Sequence, residues 1–141
     1  MTTIEDDLIK RSADICWPVG FEPVHADVFA HNAIVINAPA QSIWATLIAA
    51  AAWPNWYSNA SDVVIDDPSV QLGEDVNFSW TTFGLKITSK VAKFSPYARL
   101  GLYGNGDRLR AYHTWLLVPR LGDSTYVVIE KIGMGDGAQH T

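Results

Sequence analysis

The sequence is short of several features that mark common functional classes. Its 141 residues include one cysteine, Cys16. An intrachain disulfide framework is therefore excluded, and the composition fits a reducing compartment, expected here to be the cytoplasm. Cys16 itself reads as a small buried hydrophobe. Charge is scarce: Asp, Glu, Lys and Arg make up 18% of the chain, with a net charge of -5. Arg108 and Arg110, with Lys86, Lys90 and Lys93 elsewhere, come nearest to a basic cluster, and they alternate along presumed strands. That is the pattern of a solvated sheet face, so no nucleic-acid partner is expected. The longest apolar run, Ile43 to Trp53, falls well short of the roughly 20 residues of a membrane helix. The opening MTTIEDDLIKRSAD is acidic and polar, unlike a signal peptide. His25, His31 and His140 share no metal spacing with carboxylates, and no metal or cofactor is expected. Gly104-Asn105-Gly106-Asp107 reads as a hairpin turn rather than a phosphate loop, since it opens no helix.

Aromatic residues are plentiful instead. Six tryptophans, five tyrosines and five phenylalanines sit in a chain that is 48% hydrophobic. The length suits one domain able to bury most of its unfolded surface. So much rigid aromatic area either fills a core or lines a cavity.

Residues 1–30 differ from the rest. Ile4 to Ala13 fits a short amphipathic helix, and CWPVGFEP fits an extended arm packed on the domain, which then occupies residues 31–141. AIVINA (33–38) reads as the first strand. After Pro39, residues 40–52 place Ile43, Trp44, Leu47, Ile48 and Ala51 on one helical face, and Pro54 is expected to end that helix. WPNWY then forms a short turn or helix. From residue 61 the period becomes two, and six strands follow, broken at Asp67-Pro68, Phe83-Gly84, Ser95-Pro96, Gly104–Gly106 and Pro119–Asp123.

Directly opposed residues share a face. Pairing Trp80 with Leu85, Leu102 with Leu109 and His113 with Glu130 gives one apolar, inward set. It comprises Val76, Phe78, Trp80, Leu85, Ile87, Ser89, Leu100, Leu102, Leu109, Ala111, His113, Trp115, Leu117, Tyr126, Val128, Glu130 and Ile132. The outward set, mostly wet, includes Lys86, Lys90, Arg108, Arg110, Thr125 and Lys131.

A strand ending INAPA, an Ile-Trp helix, WPNWY, LGEDVNFSW, FSPYARLGLYG, YHTWLLVP and a last strand carrying Glu130 together resemble the SRPBCC superfamily. This is the START-like or Bet v 1-like helix-grip fold, in its bacterial polyketide cyclase/dehydrase-like branch, and the likeness covers residues 31–134. It implies an α+β fold with a seven-stranded curved antiparallel sheet and two short helices after strand 1. It also implies a hydrophobic cavity and a long C-terminal helix, which GMGDGAQHT does not encode. A compensating cover is expected, from the arm or from a second copy in a homodimer.

The leading functional expectation is binding of a small hydrophobic molecule, lipid-like or aromatic and polyketide-like, on the concave face. Candidate ligand-binding residues are Trp53, Trp56, Tyr57, Phe78, Trp80, Ile87, Ser89, Leu102, Trp115 and Tyr126. Trp80 and Trp115 serve as stacking walls or as core. Trp53, Trp56 and Tyr57 gate the mouth or staple the short helix to the sheet. The alternative is a cyclase/aromatase-type enzyme with His113 and Glu130 as an acid/base pair. The same pair also reads as a buried structural couple. A third reading is a cochaperone-like interaction module presenting Leu116, Val118, Val127 and Ile129 on the outer face.

Overall fold

Period-two patterning from Asn77 onward builds a meander of antiparallel strands. The structure, a computed structural model, describes residues 15, 17–23, 26–66 and 71–135. Within them run β1 (Val28–Ile36), α1 (Ala40–Ile48), a 3₁₀ helix (Ala50–Asn55), β2 (Ala60–Ile65), β3 (Asn77–Thr82), β4 (Leu85–Ser95), β5 (Arg99–Gly106), β6 (Leu109–Arg120) and β7 (Ser124–Met134). They form one seven-stranded sheet in the order β1-β7-β6-β5-β4-β3-β2. This is the expected curved antiparallel sheet with two short helices after its first strand. The helix expected over Ile4–Ala13, the Asp67-Pro68 turn, the last residues from 136 on, and Cys16, His25 and His140 lie outside the described residues.

Two boundaries differ from expectation. β1 begins at Val28 rather than Ala33, inside the stretch assigned to the arm. The helix ends at Ile48, before Pro54, which instead sits within the 3₁₀ helix. The break falls where other groups claim the helix's terminal carbonyls. Trp53 Nε1 donates to Leu47 O at 2.9 Å, and Leu72 N donates to Ile48 O at 2.7 Å. Helix ends need such outside partners.

Turn length sets each register. Phe83-Gly84, with φ of 50° and 75°, closes β3–β4 as a two-residue turn that pairs Thr82 with Leu85 and Trp80 with Ile87. β5 runs through the expected turn at Gly104–Gly106 and reverses at Asp107-Arg108, pairing Leu102 with His113. Both registers depart from expectation by even steps, so the faces there are as expected. The last hairpin departs by one. Arg120 pairs with Ser124 across Leu121-Gly122-Asp123, which sets His113 against Lys131, Trp115 against Ile129 and Leu117 against Val127. A slip of one residue sends a strand's whole set of side chains to the other face. Tyr126, Val128, Glu130 and Ile132 therefore leave the concave face, and Val127, Ile129 and Lys131 occupy it.

On the concave side, Trp44 and Leu47 of α1 and Trp53 of the 3₁₀ helix pack with Phe78, Trp80, Val91, Leu100, Leu117 and Val127. The convex side is not wet as expected. Trp17 meets Phe29 and Tyr112 edge-on, each at 5.8 Å. Phe21 lies on Tyr112 with the Arg110 guanidinium 5.3 Å from its ring centre. Ile15 packs on Leu116 and Val128. The arm thus covers the convex face rather than the cavity, and β7 is buried on both sides. That accounts for the unbroken apolar run Tyr126–Ile129, since a strand covered on both faces loses its alternation.

Beneath this cover, Glu130 is fully buried, and His31 Nδ1 donates to its Oε2 at 2.7 Å. Nearby on the same face, the Tyr112 hydroxyl lies over Gly101, where a Cβ would overlap it. Burial, aided by Tyr103, pushes the Tyr112 pKa up to about 12, so this phenol stays neutral.

Two stability outcomes follow. Gly101→Ala should lower the unfolding free energy by about 1–3 kcal/mol through overpacking, with part recovered in a Gly101→Ala, Tyr112→Phe double variant. Denaturant midpoints of the three proteins check this. His31→Ala should cost about 3 kcal/mol, the low end for breaking a buried pair, since the His31 side chain is 12% exposed. Chemical denaturation reads that loss, and an unchanged midpoint would show that the pair contributes nothing.

Candidate functional site

The curvature of the sheet and the short span of α1 and the 3₁₀ helix leave open space along the concave face, in three adjoining parts that share wall residues. The middle chamber, about 370 Å³, is bounded by Trp53, Trp56, Tyr57, Trp80 and Trp115, with Ala30 and Asn32 of β1, Ile129 and Lys131 of β7, and His113. It is within the roughly 300–1,000 Å³ usual for small-molecule sites. Inward it leads to a narrow pocket of about 50 Å³ among Trp80, Thr82, Ile87, Ser89, Leu102, Gly104, Leu109, Ala111, His113 and Lys131. Tyr57, Trp80, His113 and Lys131 border both. Toward α1 it meets an apolar chamber of about 420 Å³ walled by Ile36, Ile43, Leu47, Leu117 and Val127. Trp56, Trp115 and Ile129 border that chamber as well as the middle one.

Each aromatic wall is held by a specific contact. Trp80 Nε1 donates to Ser89 Oγ at 3.1 Å, and the Trp80 indole meets Trp53 edge-on at 5.2 Å. Trp53 is itself pinned by its bond to Leu47 O and by Phe78 at 5.7 Å. Trp115 stacks on His113 of the same strand, ring centres 3.9 Å apart. Trp56, 54% exposed, stacks beside Tyr57 at the rim. Gly104 leaves the floor of the inner pocket open, since a Cβ there would press on Ile87 at 3.2 Å.

Of the expected ligand-binding residues, Trp53, Trp56, Tyr57, Trp80, Ile87, Ser89, Leu102 and Trp115 line this space. Trp53 is a buried wall rather than a rim residue. Phe78 faces the same side but is buried behind Trp53. Tyr126 does not belong: it packs with Leu116 and Val128 on the convex face. The expected His113–Glu130 pair is not assembled. His113 opposes Lys131 on the concave face, while Glu130 pairs with His31 on the other. The outer patch expected for an interaction module is dispersed as well: Val127 and Ile129 face the cavity side, and Leu116 lies under the arm.

Lys131, Asn32 and Thr82 are site residues that sequence reasoning missed. A three-residue loop centred on Gly122 was the one available signal for Lys131, because its length decides which face β7 presents. The polar chemistry sits at the inner end. Burial first, and then the Lys131 ammonium, lower the His113 pKa to about 3, so its imidazole is neutral at neutral pH. Burial likewise lowers the Lys131 pKa. The Lys131 ammonium reaches across the groove to the Phe83 ring, 5.6 Å from its centre. Thr82 Oγ1 is buried without a hydrogen-bond partner among the described residues. Among the described residues no cluster of His, Cys, Asp or Glu fits a metal ion, and no helix is long and apolar enough to cross a membrane.

No protein-family model matches the chain, and no curated protein matches it. Solved structures do. A hypothetical protein of Helicobacter pylori aligns with a TM-score of 0.82 at 24% identity, over 92% of this chain and 83% of that one. A START superfamily protein of Mycobacterium smegmatis aligns at 0.65 and 14% identity, over 77% of each chain. The Zhui aromatase/cyclase of Streptomyces sp. R1128 aligns at 0.65 and 12% identity, over 77% of this chain and 68% of that one. With the strand order and the helices after β1, these likenesses establish that the chain has a START-like, helix-grip-like fold.

Proposed function

We propose that the protein binds a small hydrophobic molecule, aromatic or lipid-like, in the groove on the concave face of the sheet. The observation that carries this reading is the middle chamber, walled by Trp53, Trp56, Tyr57, Trp80 and Trp115 and opening at the exposed Trp56. An apolar cavity with few polar groups is the general design of a ligand site. Rigid aromatic walls add stacking to simple burial.

The likeness to an aromatase/cyclase brings an enzymatic reading with it, but the acid/base couple that reading relied on is split across the sheet. Glu130 cannot reach a ligand in the groove, so a cyclase would have to work without that carboxylate, on His113 and Lys131. The binding reading needs no such pair, and the geometry supports it better. A cytoplasmic protein with one cysteine fits the same reading. A homodimer fits it too, through the β1 edge where Ile34 and Val35 are 56% and 51% exposed. Sedimentation velocity over a concentration series should then show a dimer, and a monomer throughout would remove it.

Native mass spectrometry of the purified protein should reveal a retained apolar molecule, and the neutral fluorophore N-phenylnaphthylamine should bind with enhanced emission. Ala30→Leu, which fills the middle chamber, should weaken that binding by about tenfold. A protein at its bare mass that binds no neutral probe would sink the proposal.

The environment of His113 gives a pH outcome. Its pKa in the folded protein, about 3, lies below the unfolded value of 6.5. Between those values the unfolded chain binds more protons, so stability rises with pH across the window and is lost on acidification. His113→Gln should remove that component, narrowing the gap in stability between pH 7 and pH 4.5 by on the order of 2 kcal/mol. Thermal or urea unfolding at the two pH values checks it, and equal acid sensitivity in both proteins would contradict a buried neutral imidazole.

A further inference from the structure

We propose that the ligand is an organic acid, an apolar body carrying one anionic head, and that Lys131 is the counter-ion for that head at the inner end of the groove. This rests on the groove being a ligand site and adds the charge and orientation of what enters it.

The argument starts from charge balance. The chain is acidic overall, yet no Asp or Glu lines any of the three parts of the groove. Lys131 is partly buried on the concave face and makes no ion pair among the described residues. Its ammonium lies over the face of the Phe83 ring, and the nearest ionisable group across the strand pair, His113, is neutral. Desolvated cations without a partner are costly, and the lowered pKa of Lys131 has that same cause. An anion within reach would offset the cost.

The surrounding groups fit an oxyanion. Thr82 lines the inner pocket with a buried hydroxyl that has no partner among the described residues, and hydroxyls can donate to carboxylate oxygen. His113 contributes a neutral ring that can donate through one N–H. It adds no second charge, so the site carries a single positive charge and suits a monoanion better than a phosphate dianion. The other direction along the groove is apolar, past Trp115 to Ile43, Leu117 and Val127. The acid head therefore goes inward and the hydrocarbon or ring system lies toward α1.

Two probes with the same aromatic body test this: anilinonaphthalene sulfonate, an anion, and N-phenylnaphthylamine, which is neutral. Lys131→Met keeps the apolar stem and should weaken the sulfonate by about tenfold, the effect of one charge-assisted contact. The neutral probe should change by no more than about twofold. Lys131→Arg should retain the sulfonate, and Lys86→Met on the outer face should alter neither. Circular dichroism verifies folding of each variant. A measurement on the unaltered protein covers the case of a misfolded variant: naphthoic acid should displace the neutral probe about tenfold better than naphthamide. Equal weakening of both probes by Lys131→Met, an unchanged sulfonate affinity, or equal displacement by acid and amide would overturn the anion site. Wild-type protein that binds the neutral probe but not the sulfonate overturns the anion site and leaves the hydrophobic groove standing. Protein that binds neither overturns both.

Discussion

The alignment of β6 against β7 decides what the concave face presents, because those two strands form its floor. With Arg120 opposite Ser124, His113, Trp115 and Leu117 share a face with Lys131, Ile129 and Val127. Side chains alternate along a strand, so no intermediate arrangement exists: the loop admits either this set or its complement. The complement would put a carboxylate beside the imidazole. The observed set puts an ammonium there instead and sends the carboxylate to the far side, onto His31. A loop of three residues thus fixes the chemistry of a groove formed by side chains well away from it.

A sheet whose centre is apolar on both sides needs two covers. The arm supplies one, with Trp17 and Phe21 laid over Phe29, Tyr103 and Tyr112. Such edge-on aromatic contacts add about 0.5–1.5 kcal/mol each beyond burial. Gly101 makes room for the Tyr112 ring in that layer. The other cover is smaller. α1 and the 3₁₀ helix reach only part of the concave face, and the carbonyl partners that end α1 at Ile48 also bring Trp53 down onto Phe78 and Trp80. The ending of the helix and the shaping of the chamber wall are therefore one event.

The strand count, the helices after β1 and the faces of β3 to β6 were legible in the sequence, since hydrophobic period and turn residues encode them locally. Even the misplaced turn at Gly104–Gly106 did no harm, because an even shift preserves the faces. The face of β7 was not legible. Buried on both sides, Tyr126–Ile129 carries no alternation to reveal its register, and Glu130 looked inward only by assumed pairing with His113. The same error hid Lys131 among outward residues and made the convex face look wet. Trp80, Trp115 and Ser89 were found because their strands alternate cleanly. The bond from Trp80 to Ser89 was not foreseen, as it joins residues on neighbouring strands and depends on a rotamer.

The two histidines on the strands flanking β7 show how placement rather than residue type sets chemistry. His31 and His113 both lie one strand from β7, but on opposite faces. His31 has a carboxylate at 2.7 Å beneath the arm, and its role is to satisfy a buried charge-bearing group in the packed layer. His113 has burial and a cation acting against its protonation, so at neutral pH it cannot act as a general acid toward anything in the groove. It can only accept a proton or share a hydrogen bond. A groove with an ammonium, a neutral imidazole and otherwise aromatic and aliphatic walls suits the anion-bearing apolar ligand proposed for it. The carboxylate expected beside His113 has been placed by the register of β7 on the other side of the sheet, and the cation of Lys131 stands in its place.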